Sequence, residues 1–518
     1  MTRYILIGLL WSVSVLNASA ASTQLSSTGT LFSYKGLIAK ARQLAEQDYQ
    51  PRAIRAPQLI HQIDYSVLQH VHYRIDKSIY LNPQLPLQFY PVGRLFPKAV
   101  QISQVIDGRA YPFAYHRSNF SMPADSPVAK LPDDIGYAGF SLMRSDLSHF
   151  WGSFLGASYF RLRGNQHQEG LSARALALNS GIASVKEEFP DFTHFWLQTV
   201  PNHPNQVVIF ALLQSKSVTG AYRFHLTNTA KHGQIVNVDS HLFFRQHVKR
   251  IGIAPLSSMY WYSESNRNTA FDWRPEVHDS DGLAIETHDQ QFIWRPLNNP
   301  FKPFTQSFNG EGVKGFGLMQ RDRNFDHYQD ALVFYNRRPS VWIEPLAQSF
   351  GAGQIQLVEL PTTRETNDNI VVFFKPKGPL PLHQDIHFSY RMRWLDHPMP
   401  AISKDYAKVV ATRVGQGGLA GMKPHGGPIK MAVDFSGGAL TKLSAKQAVL
   451  VQPVVKLSHG YAHRVSIQRT PTGIWRVFFD ADASQPIDGK VYLRIGQHIL
   501  SEVWMDRIDE TLFNRVHR

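Results

Sequence analysis

From about residue 75 onward the chain is a succession of short runs of Val, Ile, Phe, Tyr and Thr, each closed by Gly, Pro, Asn or Asp. Branched and aromatic side chains suit a pleated, half-buried surface and the punctuating residues make turns, so the pattern is that of antiparallel sheets. Val207 to Leu213, Ala221 to Leu226, Gln354 to Leu360 and Ile370 to Phe374 are the clearest strands. Helical spacing of Leu, Ala, Arg and Glu is confined to Leu37 to Gln47, with a short turn expected around Tyr65 to Val71. No fixed-period repeat is present, which argues against a propeller or solenoid. With no cysteine in 518 residues, disulfides, thiol catalysis and Cys-ligated zinc are excluded, and stability must come from burial of the 43% hydrophobic content.

The first residues have a different purpose. Arg3, the apolar run Tyr4 to Leu16 and the small residues Ala18, Ser19 and Ala20 are the three parts of a secretory signal peptide. The apolar run is too short to span a bilayer, and no twin-arginine pair precedes it. Cleavage is expected after Ala20, which places the mature chain in the periplasm. Export argues against nucleic acid as the partner of the +14 formal charge, whose Lys and Arg are scattered singly and form no basic run.

A boundary is expected where Asp396-His397-Pro398-Met399-Pro400 stops a strand ending at Trp394, because paired prolines remove ladder donors. The reading is therefore a signal peptide at 1–20, a large β domain at 21–395, a linker at 396–405 and a small immunoglobulin-like sandwich at 406–518. Within the last, Gly415 to Pro428 lacks strand pattern and reads as a functional or disordered loop.

Chemistry must rest on carboxylates and histidines, since no glycine-flanked serine elbow occurs. Trp273 to Leu283 holds Glu276, His278, Asp279 and Asp281 together with Arg274, and Pro361 to Asn369 holds Glu365 and Asp368 directly before an apolar strand. Between them lie Arg321-Asp322-Arg323 and Tyr335 to Trp342. Acids separated by aromatic rings suit sugar chemistry: rings stack on pyranose faces, Arg and Asn bond hydroxyls, and two acids supply a proton and activate water. The same residues also make ordinary turns, surface ion pairs and core tryptophans (Trp273, Trp294, Trp342), and spacing alone prefers that bland reading. His278, Asp279 and Asp281 are a poor metal set because neighbours on extended chain point to alternate faces; no metal or cofactor is assigned.

Several ordered segments carry a resemblance: Gly156-Ala157-Ser158-Tyr159-Phe160-Arg161, Gly170-Leu171-Ser172-Ala173-Arg174, Lys186 to Pro190, His278-Asp279-Ser280, Trp294-Arg295-Pro296-Leu297, Gly315 to Leu318, Arg337-Arg338-Pro339-Ser340 and Asp368-Asn369-Ile370-Val371. Across essentially the whole mature chain the sequence resembles the periplasmic glucan biosynthesis family of Gram-negative bacteria, whose G and D members act on osmoregulated periplasmic glucans. The resemblance implies a large galactose-mutarotase-like β-sandwich followed by an immunoglobulin-like one, a cleft for β-1,2-linked glucan and, in D members, inverting endo-β-1,2-glucanase activity. It places the general acid on Asp368, the general base on Asp279, and substrate contacts on Tyr335 and Glu365. His278, Asp281, Trp294, Trp342 and Arg337 complete the expected substrate-binding set.

For that role Asp368 is expected in an apolar, partly desolvated site, with Asp279 ionised and a relay through His278, Asp281 or Glu365 if water is distant. The export signal resembles G members and the stretch around Asp279 resembles D members, so the subtype stays open. Phe350 stands where the family pattern leads one to expect tryptophan. A membrane glucan synthase and a second copy of the chain are the expected protein partners. The competing readings are a non-catalytic glucan-binding scaffold and a branching transferase.

Overall fold

The computed structural model describes residues 28–508 apart from 230–232, 268–269, 311–312, 348, 397–404, 420, 422–428 and 483–484. The expected signal peptide, nearly all of the expected linker and most of Gly415 to Pro428 fall outside the described residues. The chain is mostly β. A sixteen-stranded and an eleven-stranded sheet hold most of the strands, and among the described residues neither closes on itself. No described helix is long and apolar enough to cross a membrane.

Alternation drives the pairing. In the ladder of His203–Gln214, Val218–Thr229 and Gly233–Phe244, Val207, Ile209, Phe224, Leu226, Val236 and Val238 face one side and are buried. They meet Phe140, Phe154, Phe160 and Phe374 of the eleven-stranded sheet in one continuous core, in which Phe154 lies 5.5 Å from Phe224 and 5.2 Å from Phe160. Phe350 belongs to the same layer, stacked 4.7 Å from Phe374, so its departure from the family pattern is absorbed by packing.

The helix expected at Leu37 to Gln47 runs Tyr34–Ala45, capped by the Ser33 hydroxyl, and buries Leu37, Ala41 and Ala45 on the outer face of the sixteen-stranded sheet. The turn near Tyr65 is the short helix Tyr65–Leu68. Pro57–Gln62 adds a helix that the sequence did not announce.

After residue 405 the chain forms a second, smaller sandwich. Lys408–Gln416, Ile429–Ser436, Trp475–Ala481 and Ala462–Arg469 make its four-stranded sheet. The facing layer, Gln452–Leu457, Ile487–Ile495 and Val503–Ile508, is not a separate sheet. Val503–Ile508 pairs in parallel with Phe292–Pro296, setting Ile293 opposite Val503 and Trp294 opposite Trp504, so the sixteen-stranded sheet runs from one sandwich into the other. Ala284, Trp294, Met319 and Trp342 pack into the second core beside Trp504 and Met431. Arg321 fastens the junction: its guanidinium lies 3.6 Å over the Trp294 ring and donates to both oxygens of Glu502 at 2.7 and 2.8 Å.

Candidate functional site

Asp368 is placed by a hairpin of the eleven-stranded sheet. Strands Gly353–Glu359 and Ile370–Pro376 end on the pair Glu359 and Ile370, and the chain between them projects as a loop carrying Glu365 and Asp368. Both feet of the loop are clamped by buried amides. The Asn369 carboxamide accepts from the Tyr260 N–H at 2.8 Å and donates to the carbonyls of Tyr260 and Leu360 at 2.9 Å each. Asn299 does the same at the other foot, accepting from the Thr362 N–H at 2.9 Å and donating to its carbonyl at 2.8 Å. Removing the Asn369 amide leaves one buried donor and two carbonyls unpaired, so Asn369→Ala should lower stability by on the order of 2–4 kcal/mol in denaturant unfolding.

Asp279 is placed by the other sheet. The ribbon of Tyr260–Tyr262 with Val277–His278 delivers the chain to the strand Gly282–Thr287, and Asp279 to Asp281 form the step between them. The Asp279 N–H donates to the Met259 carbonyl, and its carboxylate pairs with Arg338. Asp279 is only 5% exposed. Burial pushes its carboxyl up to about 6; Arg338 opposes that shift, and the charge of Asp368 reinforces it. Asp279 also feels Arg161, which lines the same groove as Asp368.

Asp368 itself is exposed, and here the structure departs from expectation: the desolvated carboxyl of the pair is Asp279. Asp368 sits at the rim of a groove of about 920 Å³, lined by Tyr65, Tyr90, Phe96, Phe150, Tyr159, Arg161 and Glu169 among others. A second cavity of about 620 Å³ is lined by the same loop through Pro361 to Arg364 and Asn367, with Trp261, Phe271 and Phe301. Beside these, Trp273 is 66% exposed, alone so among the three tryptophans weighed from sequence. Rings flanking an acidic loop on both sides are a surface to which a chain of sugars can adhere.

Tyr335 and Glu365 join the two acids. Phe334 takes a left-handed backbone (φ 46°), a conformation of about 1–2 kcal/mol cost for a non-glycine residue. The turn sends Tyr335 into the interior. Its hydroxyl donates to Glu365 at 2.5 Å, and its ring lies 4.1 Å under the Arg338 guanidinium. Arg274 completes the junction, donating to Glu365 at 2.7 Å, to Asp330 at 3.0 Å and to both oxygens of Asp272 at 2.9 Å. A continuous path therefore runs from the Asp368 loop by the Glu365–Tyr335 hydrogen bond, and then by the stacking of the Tyr335 ring under Arg338, to the guanidinium that holds Asp279.

The remaining expected contacts fall elsewhere. His278 has no exposed surface: its ring nitrogens face Gln320 Oε1 and Glu276 Oε2 at 3.0 Å each. Burial pulls its pKa down, but the hydrogen bond and charge of Glu276 outweigh this and leave it raised. Asp281 accepts from the N–H groups of Arg321 and Asp322 at 2.8 and 2.9 Å, and burial pushes its carboxyl up to about 6. His278, Asp279 and Asp281 thus turn to three different sets of partners and do not converge on an ion.

Trp294 and Trp342, 4% and 1% exposed, are core residues and cannot stack on a sugar. Arg337 is exposed and lies over Phe334, whereas its neighbour Arg338 faces the carboxylate. Two adjacent arginines give no local signal of which turns inward. Gln320, which donates to the carbonyls of His278 and Tyr335 and to the Tyr328 hydroxyl, was not foreseen either, since a lone glutamine after a strand has no distinguishing pattern.

Glu276, Asp322 and His327 bring donor atoms within 4.8 Å of one another, but Glu276 is engaged by His278 and Asp322 by His327. Arg338 controls the ionisation of Asp279. Arg338→Gln should push the Asp279 carboxyl further up from about 6, because the cation that favours the carboxylate is gone; an NMR titration of the carboxyl carbon measures it.

A family model described as "Periplasmic glucan biosynthesis protein, MdoG" matches residues 32–508. Glucans biosynthesis protein D 2 of Ralstonia nicotianae is 41% identical over 506 residues, spanning 94% of this chain and 93% of that protein. Glucans biosynthesis protein D of Xylella fastidiosa is 40% identical over 486 residues, spanning 92% and 89%. That of Xanthomonas campestris pv. campestris is 40% identical over 485 residues, spanning 92% and 90%. Among solved structures, a polysaccharide lyase aligns with a TM-score of 0.23 and 9% identity over 72% of this chain and 44% of that chain, a level that carries no argument.

Proposed function

This chain belongs to the periplasmic glucan biosynthesis protein family, and from that premise we propose that it is an inverting endo-β-1,2-glucanase of the periplasm, cutting the backbone of osmoregulated glucans. The observation that carries the reading is the pair of carboxylates on two different sheets: Asp368 on the groove rim, and Asp279 buried within reach of its charge. Inversion needs one acid to protonate the leaving oxygen and a second carboxylate to activate water from the far side of the ring.

Asp279 suits the base. A carboxyl pushed up to about 6 is ionised for the most part at neutral pH and is a stronger base than an exposed one. With 5% exposure it has little room for a water of its own, so the proton reaches it through waters or sugar hydroxyls. Asp368 suits the acid. It stands exposed at the groove rim, where the glycosidic oxygen of a bound chain can meet it. Tyr335 and Glu365 hold the two halves in register, and the partly exposed Glu365 offers the sugar a carboxylate. A membrane glucan synthase supplying the nascent chain, and a second copy of this chain, are the partners of the proposal.

The test is incubation of the full chain with linear β-1,2-glucan, following new reducing ends and the anomeric configuration of the first product by NMR. Short glucans released as the α-anomer are expected. Binding without new reducing ends would replace the hydrolase by a glucan-binding scaffold, and altered linkages without net hydrolysis would replace it by a branching transferase.

A further inference from the structure

Far from the groove, the outer face of the sixteen-stranded sheet gathers metal-binding side chains that no step of the proposed reaction uses. On strand Gly233–Phe244, Asp239 and His241 are two residues apart and so share a face. The antiparallel neighbour Ile386–Leu395 sets His387 directly opposite His241, with the two imidazoles 4.7 Å apart. One donor atom from each of Asp239, His241 and His387 lies within 4.8 Å of the others.

The surroundings fix how these groups point. His241 Nδ1 donates to Asp385 at 2.8 Å, which puts the proton on that nitrogen and leaves the lone pair of Nε2 directed at Asp239, 3.7 Å away. A carboxylate behind the imidazole is the arrangement that orients and strengthens a metal-bound histidine. Asp239 is oriented in turn by Tyr34 of the first helix, whose hydroxyl donates to its Oδ1 at 2.9 Å. Its Oδ2 faces His387 Nε2 at 2.9 Å. The two imidazoles thus approach different oxygens of one carboxylate, His387 at Oδ2 and His241 at Oδ1, at 2.9 and 3.7 Å, close to the edge of about 3.3 Å that a tetrahedron with bonds of about 2.0–2.1 Å requires, so that rotation of the carboxylate can present one oxygen to both. Arg223, 3.6 Å from Asp239 and 5.0 Å over the Tyr34 ring, is the opposing charge, and must swing away when a cation enters.

We infer that Asp239, His241 and His387 form a binding site for a divalent transition ion of the zinc class, with Asp385 and Tyr34 as positioning residues. Two imidazoles select such an ion over magnesium or calcium, which prefer all-oxygen sets. His387 is 46% exposed at its side chain and the other two are 20% exposed, so an ion can enter from solvent, and the fourth position falls to water. Binding would tie two strands to the helix that packs over them. The ion stabilises the folded chain by mass action.

The experiment uses the full chain after chelator dialysis. Titration with cobalt(II), followed by visible absorption, should show one saturable equivalent that zinc displaces, and zinc should raise the thermal midpoint. His241→Ala and His387→Ala should each weaken binding at least tenfold, and Asp385→Asn about tenfold or more. His387→Ala changes the most exposed of the ligands, and its unfolding midpoint without metal serves as the check that the sheet is intact. Absence of saturable uptake by the native chain overturns the site. So does uptake that persists unchanged in the double histidine variant, which would place the ion elsewhere, with Glu276, Asp322 and His327 as the next set.

Discussion

Asp368→Asn should abolish the release of short glucans, lowering kcat by about 10³-fold, while the thermal midpoint stays where it was. Both halves of the result follow from its position. The side chain is exposed on a hairpin loop whose feet are held by Asn299 and Asn369, so the fold does not depend on its charge. An amide of the same shape cannot protonate a leaving oxygen. Binding of glucan, measured by calorimetry, should survive, because the rings of the groove are untouched. Activity within a few-fold of the native chain would remove Asp368 from the mechanism.

Asp279→Asn should cost a comparable factor in kcat, but its effect on stability has a sign that the acid on the rim does not share. Burial raises the Asp279 carboxyl from 3.8 to about 6 even with Arg338 beside it, so the folded chain favours the neutral form. For a group raised in this way, the stability it contributes is complete below pH 3.8 and is lost as pH rises through about 6. A neutral amide escapes that loss. The variant should therefore match the native chain near pH 4 and exceed it at pH 7, by at most about 3 kcal/mol at 1.4 kcal/mol for each unit of the rise. Thermal midpoints taken across this range check it. A variant less stable than the native chain at pH 7 would mean that Arg338 needs its counter-ion more than the carboxyl minds burial.

Local pattern carried much of this architecture. His203–Gln214 and Val218–Thr229 were legible because alternation of buried and facing residues is written within each strand. Asp279 and Asp368 were legible as members of acidic segments, and their roles only through resemblance. What could not be read shares one property, dependence on partners far along the chain. Pattern alone favours core packing for Trp294 and Trp342 without saying which core; Phe292–Pro296 pairs with a strand more than two hundred residues later, which encloses them in the second one and takes them out of the expected substrate-binding set. Arg338 displaces Arg337 because a left-handed Phe334 decides which of the two turns inward. The burial that singles out Asp279 is likewise a property of the packed sheets, invisible in a run of His, Asp and Ser.

The parallel pairing of Ile293 and Trp294 with Val503 and Trp504 has a mechanical consequence. Two bodies joined by a tether can swing; two bodies sharing a ladder, with a guanidinium wedged against an indole at the seam, cannot without breaking backbone bonds. On the proposed function, the chain would then grip a polymer without a jaw, and any tightening around the sugar must come from short-range movements of the hairpin bearing Asp368 and of the segments facing it across the groove.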